Sequence, residues 1–288
     1  ADNAQTGDIF AWGGNVVLEA SGEPKDGETF TALDGKEYRR GSVVNYGDIV
    51  AIKSEDESAK GTITLKSENA DVFNYDDFNT LQGNDDYSGY QVSTGDVNIS
   101  AKNGEVYTSK NIVSDGSVAI TAQTGLTNFA YEIYANENIS MTATEGNLIN
   151  NSQLVSKTGD INLNADKGTV VNLLDGNVFA LGGSVNMSAG AAADAEHTIR
   201  LVDNTDGSIR EQTISLPKGV PTDAIVLAQY NKETDKTTVF YVNSENERVA
   251  LNEAIDGNVD VFRTGDVVNR GDVVALGQTK VNAEGAIE

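Results

Sequence analysis

Over residues 68–93, aromatic rings and carboxylates are interleaved: Phe73, Tyr75, Phe78, Tyr87 and Tyr90 stand among Asp71, Asp76, Asp77, Asp85 and Asp86. No Lys or Arg falls between Lys66 and Lys102. Rings cover the C–H faces of sugars, carboxylates accept hydroxyl protons, and paired carboxylates can hold Ca²⁺. The candidate ligand-binding set is therefore Tyr75, Asp76, Asp77, Asp85, Asp86 and Tyr87. A more economical reading needs no ligand: the rings anchor a loop on the body beneath it while the acids face water.

Other chemistry is sparse. There is no cysteine, and His197 is the one histidine, which excludes a His-based zinc site and favours a solvated surface role. No G-x-S-x-G elbow accompanies it. Neither the EF-hand loop nor the glycine-rich calcium nonapeptide occurs, so no metal ligand set is assigned and no cofactor is expected. A weak Ca²⁺ site at Asp76, Asp77, Asp85 and Asp86 is the one exception the composition allows. Arg270–Gly271–Asp272 spells an integrin-type tripeptide, although Tyr46–Gly47–Asp48 shows that Gly-Asp belongs to a recurring phrase. The sequons at Asn98, Asn138, Asn150 and Asn186 likewise follow from repeat composition.

The elements that must position these residues are visible as a repeat. "GDVNISAKNG" (95–104) returns as "GSVAITAQTG" (116–125), "ENISMTATEG" (137–146), "GDINLNADKG" (159–168) and "GSVNMSAG" (183–190). Gly104, Gly125, Gly146, Gly168 and Gly190 are 21, 21, 22 and 22 residues apart. Within each unit the alternation has period two, which is strand. Val97, Ile99 and Ala101 set the apolar face; Asn98 and Ser100 set a small polar one that hydrogen-bonds when like stacks on like. A unit of this length holds two or three short strands, one coil of a β-solenoid.

These phrases, G-[DNS]-[VI]-x-[IVLM]-x-A followed by G-x-[IVL], resemble the repeats of filamentous-haemagglutinin-like large exoproteins, with related repeats in autotransporter passengers. The likeness is firm over roughly 95–190 and looser at 7–20, 47–67 and 259–277. It implies an all-β fold, a right-handed parallel β-helix, and display at the bacterial cell surface or secretion. It further implies adhesion to host cells, other bacteria or matrix, biofilm formation and a part in virulence. No secretion-signal or toxin domain of the family is recognised here.

Three stretches interrupt the period, so the expected organisation is a β-helix over 1–190 with excursions at about 21–40 and 68–93. A projecting antiparallel module of two hairpins follows at 191–258, with "NTDG" and "KETDK" at the turns, then β-helix-like strands over 259–288. "GSVVNYGDIVAI" (41–52) and "GDVVNRGDVVAL" (265–276) share eight of twelve positions at an offset of 224 residues. That suggests a longer tandem array, or else two similar corners of one solenoid.

Lys+Arg total 20 against Asp+Glu 44, a net charge of −24 that repels nucleic acid and anionic lipid. No apolar run approaches the ~20 residues of a membrane-spanning helix. The first residues carry no signal-peptide pattern, so the chain reads as a mature protein or an excised piece. The expected function is a non-catalytic adhesin segment with surface glycans or proteins as partners, monomeric as an isolated rod. A carbohydrate-active β-helix enzyme and a passive spacer are the alternatives. Glycoside hydrolysis needs two placed carboxylates, and 44 acids make an accidental pair easy.

Overall fold

The computed structural model describes residues 2–3, 8–23, 27–32, 34–55, 60–75, 90–190, 198–221, 224–251 and 254–287. Among them the chain is all-β. Three parallel eight-stranded sheets, here A, B and C, form the faces of a parallel β-helix. The second rung runs through Val43–Asn45 in sheet A, Ile49–Ile52 in sheet B and Ile63–Ser67 in sheet C. The fourth uses Glu105–Thr108, Asn111–Ser114 and Val118–Ala122 in the same order.

The repeated pentapeptides are the strands of sheet C. Val97, Val118, Ile139, Ile161 and Val185 stack in one inward column, and Ala101, Ala122, Ala143, Ala165 and Ala189 in another. All are buried. Each fully buried Val, Ile or Leu contributes about 1.5–3 kcal/mol relative to exposure, so repetition itself supplies the core. Outward on sheet C lie Asn98, Ala119, Ser140, Asn162 and Asn186, with Asn186 Nδ2 donating to Asn162 Oδ1 at 2.9 Å.

The end of each sheet A strand carries a second column. Asn128 donates to Asn150, Asn150 to Asn172 and Asn172 to Asn269, each at 2.8 Å, all at the corner leading to sheet B. Asn45 donates to Asn74 and Asn74 to Thr108 in the earlier rungs. The shared V-V-N of 43–45 and 267–269 is this column. These two stretches lie in the same sheet, in the second and eighth rungs. Both stretches are thus equivalent corners of this solenoid.

Corners demand small residues because rungs stack backbone on backbone. A Cβ at Gly146 would collide with the carbonyl oxygen of Thr124 one rung below.

Two additions leave the coil at the corner from sheet C to sheet A. Thr29–Thr31 and Glu37–Arg39 pair as an antiparallel hairpin. Between the seventh and eighth rungs comes a module: Thr198–Asp203 pairs with Ile209–Ser215, and Val226–Asn231 with Lys236–Val242. Its own core contains Ile199, Leu201, Val239 and Val261.

Two expected boundaries are corrected. Val259–Phe262 pairs antiparallel with Thr198–Asp203, so the module runs past residue 258 and the coil resumes at Val267. The four residues V-D-V-F are buried on both faces, a pattern that reads like a solenoid strand. The excursion expected over 68–93 is narrower, because Val72–Asn74 and Tyr90–Ser93 are regular strands of sheets A and B. Residues 76–89 lie outside the described set.

Candidate functional site

Both additions fold down onto the outer face of sheet A. Its outward column reads Val44, Phe73, Tyr107, Thr127, Ile149, Val171 and Val268. Hairpin residues Phe30 and Tyr38 cover one end, packing with Val44, Tyr46, Phe73, Tyr75 and Tyr107. Module residues Val202 and Phe262 cover the other, against Ile149, Val171, Leu173 and Val268. Gly207, at φ +70°, lets the module's first turn sit on Phe129 and Thr127.

Between the two covers, sheet A remains open. A cleft of ≈ 630 Å³ is floored by Phe73, Tyr107 and Thr127 and walled by Lys36 on the hairpin and Asp206 on the module. A second cleft of ≈ 540 Å³ adjoins it, sharing Lys36, Phe73, Tyr75, Glu105 and Thr124.

The aromatic wall is tied together by stacking and by its hydroxyls. Tyr46 and Tyr75 stack at 5.4 Å with an 11° interplanar angle, and Tyr75 and Tyr107 lie 5.4 Å apart. The Tyr38 hydroxyl donates to Asp34 Oδ2 at 2.7 Å and lies 3.2 Å from Tyr75 Oη and 3.3 Å from Tyr46 Oη. Burial pushes the Tyr75 hydroxyl up to about 12, and it raises Tyr38, Tyr46 and Tyr107 as well, so all four stay neutral.

The charges divide by availability. Asp71 is consumed by structure: Arg39 Nε and Nη2 donate to it at 2.8 and 2.6 Å, and the backbone N–H of Glu105 at 3.0 Å. Glu105 opens onto the cleft, yet burial by the surrounding walls and then the Asp71 charge raise its carboxyl, with Arg39 opposing. Lys36 Nζ sits 5.5 Å over the Tyr75 ring, a cation–π contact, and forms no ion pair with a described residue. Asp206 is exposed, with one oxygen taken by the Ser208 N–H at 2.9 Å. Thr124, Thr127, Asn147 and Ser208 add neutral donors and acceptors around the rim. The arrangement can hold a flat, hydroxyl-rich ligand: ring faces below, hydrogen-bonding groups at the edge, opposite charges at the two walls.

Of the residues singled out from sequence, Tyr75 is only 8% exposed and serves mainly as a wall. Asp76, Asp77, Asp85, Asp86 and Tyr87 lie outside the described residues, as does His197. Arg270 turns its guanidinium toward buried Asp260, Nε to Oδ2 3.5 Å, while Asp272 points to solvent. The tripeptide is thus a solenoid corner with its arginine engaged. Among the described residues no group of three or more His, Cys, Asp or Glu is placed to hold a metal ion.

Lys36, Glu105, Tyr107 and Asp206 escape sequence reasoning because three separate chain regions supply them. One usable signal existed: Tyr107 and Phe73 hold the same place in successive coils, so register alone sets one ring above the other. In comparisons with known proteins, no protein-family model, no curated protein and no solved structure matches the chain.

Proposed function

We propose that this chain is a non-catalytic, surface-displayed segment of a secreted bacterial adhesin of the filamentous-haemagglutinin-like kind, and that the cleft on sheet A receives a glycan. The observation that carries this reading is the aromatic floor left open between two additions that cover the rest of that sheet face. Preformed walls lower the entropic cost of docking. The rod supplies reach and stiffness, and the two additions supply a shaped recess.

A carbohydrate-active enzyme is the second reading, favoured by the raised Glu105 carboxyl in a cleft. It is weaker because Asp71, the carboxylate whose charge acts on Glu105, already accepts from Arg39 and the Glu105 N–H.

A glycan array, followed by calorimetry and a reducing-end assay on every hit, tests both. Wild type is expected to bind and not cleave, and Thr124→Trp, which fills the rim of both clefts, to lose binding while keeping its β-sheet circular dichroism. Binding unaffected by Thr124→Trp, or none to any glycan, would move the ligand site elsewhere. Turnover abolished by Glu105→Gln would establish the enzyme reading instead.

A further inference from the structure

Sheet B differs from its neighbours. Sheet A is covered at its two ends by the hairpin and the module, and the outer face of sheet C is mostly Asn, Ser and Thr. The outward column of sheet B is apolar in every rung: Phe10, Val50, Val92, Val113, Tyr134, Val155, Phe179 and Val274, in register. Beside it, Trp12 and Ile52 stand at one end of a parallel line and Leu181 and Leu276 at the other, with Thr94, Asp115, Asn136 and Lys157 in the rungs between. Phe10 is 72% exposed, Trp12 73% and Leu276 78%; Val50, Val92, Val113, Tyr134 and Phe179 are half-buried, and Val155 is buried between its neighbours. Glu132 is the one charged residue in the described strands of this sheet, on a chain of net charge −24. A central apolar column of eight rungs, flanked by polar and charged lines, on so acidic a molecule marks a contact surface.

We infer that sheet B is a self-association face, on which two copies of this chain pack sheet to sheet with their rods antiparallel. The order of side-chain sizes selects the partner and its direction. A twofold axis along the strands sets the first rung against the eighth, and so on inward. Phe10 then meets Val274, Val50 meets Phe179, Val92 meets Val155, and Val113 meets Tyr134. No aromatic faces an aromatic, which lets the two faces interdigitate. In the flanking line Trp12 meets Leu276 and Ile52 meets Leu181. Parallel rods would instead set like against like, ring on ring.

Eight rungs at ~4.8 Å and three outward lines across the strands give roughly 1,200 Å² of total buried area, the low end for a specific interface. The third line places Asp8 opposite Asp272 at both ends of the contact. The dimer is therefore opposed by low ionic strength and favoured by screening. An anionic membrane is a poor alternative occupant for the same charge reason. This inference is independent of the sheet A cleft, so either can fail alone.

Sedimentation equilibrium of the purified chain at roughly tens of micromolar, in low salt and in about 0.5 M NaCl, tests it. The expected mass in high salt is twice 30.5 kDa. Val113→Glu, pointing out of the rod, is expected to weaken association at least about tenfold with an unchanged β-sheet spectrum. Asp272→Asn should reduce the salt dependence. Val113→Tyr alone sets two rings face to face and weakens the dimer, whereas Val113→Tyr with Tyr134→Val restores large against small. A monomer at every concentration and salt, or a dimer indifferent to Val113→Glu, overturns the inference. So does a double variant no better than the single one. Capture of a monomeric chain by phosphatidylcholine vesicles would hand the face to lipid and overturn it too.

Discussion

The ammonium of Lys110 lies 3.0 Å from Asp48 Oδ1, although the two residues belong to the fourth and second rungs. Lys110 is fully buried and also donates to the carbonyls of Tyr46 at 3.3 Å and Gly47 at 3.0 Å. It spans the level of the third coil, which holds Val72–Asn74 and Tyr90–Ser93. At that same level Gln91 takes an inward position that other rungs give to Ile, Leu or Val, and donates to Asn74 Oδ1 at 2.9 Å.

Lys110→Met keeps the unbranched apolar stem of the side chain and removes its ammonium donors. It leaves two carbonyls and part of a carboxylate unpaired, a loss of about 2–3 kcal/mol once the partial exposure of Asp48 is discounted. Urea unfolding followed by circular dichroism is the check. An unchanged midpoint would show that water replaces the ammonium freely.

Asn150 sits in the middle of its column, accepting from Asn128, donating to Asn172 and to the Ser152 carbonyl at 3.0 Å. Asn150→Ala breaks all three bonds in a buried corner, for an expected loss of about 2–4 kcal/mol. A matched control is Asn186→Ala, whose outward position on sheet C should cost less than about 1 kcal/mol. Equal costs would deny the corner column its special weight.

Gly207 takes φ +70°, and a Cβ there would strike the ring of Phe129. Gly207→Ala is expected to lift the module's first turn off sheet A and destabilise by about 1–2 kcal/mol. Amide exchange at Thr205–Ile209 should rise with it, while the central rungs stay protected. A variant with wild-type exchange would show that the turn does not depend on this contact.

Stability should fall as pH rises out of the ordinary carboxylate range. Burial raises Asp260 and Asp266 from the ordinary 3.8, opposed by Arg270 and the Ala286 N–H respectively, and burial raises Glu105 from 4.5. Native chains therefore hold more protons than unfolded ones between the ordinary and raised values, and stability falls as pH rises through that window. Asp203 runs the other way. Burial pushes it up, but Arg210 and Thr205 outweigh that, so its contribution is lost only as pH drops below 3.8. Urea midpoints from pH 4 to 8 would show this slope, and Asp260→Asn should flatten it. A rise of stability with pH across the range would contradict the assignment.

Sheet C was legible because its strands repeat with period two and a short spacing, so Val97, Val118 and Ile139 align by eye. The V-V-N phrase was equally visible, but that its asparagines join in a column needs the third dimension. The partner of Lys110 is 62 residues away and two rungs distant, which no local pattern announces. Val259–Phe262 misled for the opposite reason: a strand buried on both faces looks the same in a solenoid or a small sheet. The cleft was half legible. Phe73 and Tyr75 drew notice as rings, yet Lys36 and Asp206 reach it only through two additions folding onto one sheet face.

The module placed between the seventh and eighth rungs also sets an order of events in folding. From the fourth rung to the seventh, neighbouring rungs join residues about 22 positions apart, as Asn150 and Asn172; Asn172 and Asn269 are 97 apart. Closing that longer loop costs about 1.3 kcal/mol more in chain entropy. A stack growing from the fourth rung thus adds each coil cheaply until the seventh and then slows. The eighth can lock only after the intervening chain has collapsed on its own core of Ile199, Leu201 and Val261, which draws the loop ends together. Val267–Ala283 would therefore gain protection in a later kinetic phase than Val97–Ala165, with the module acting as the clasp that sets the pace.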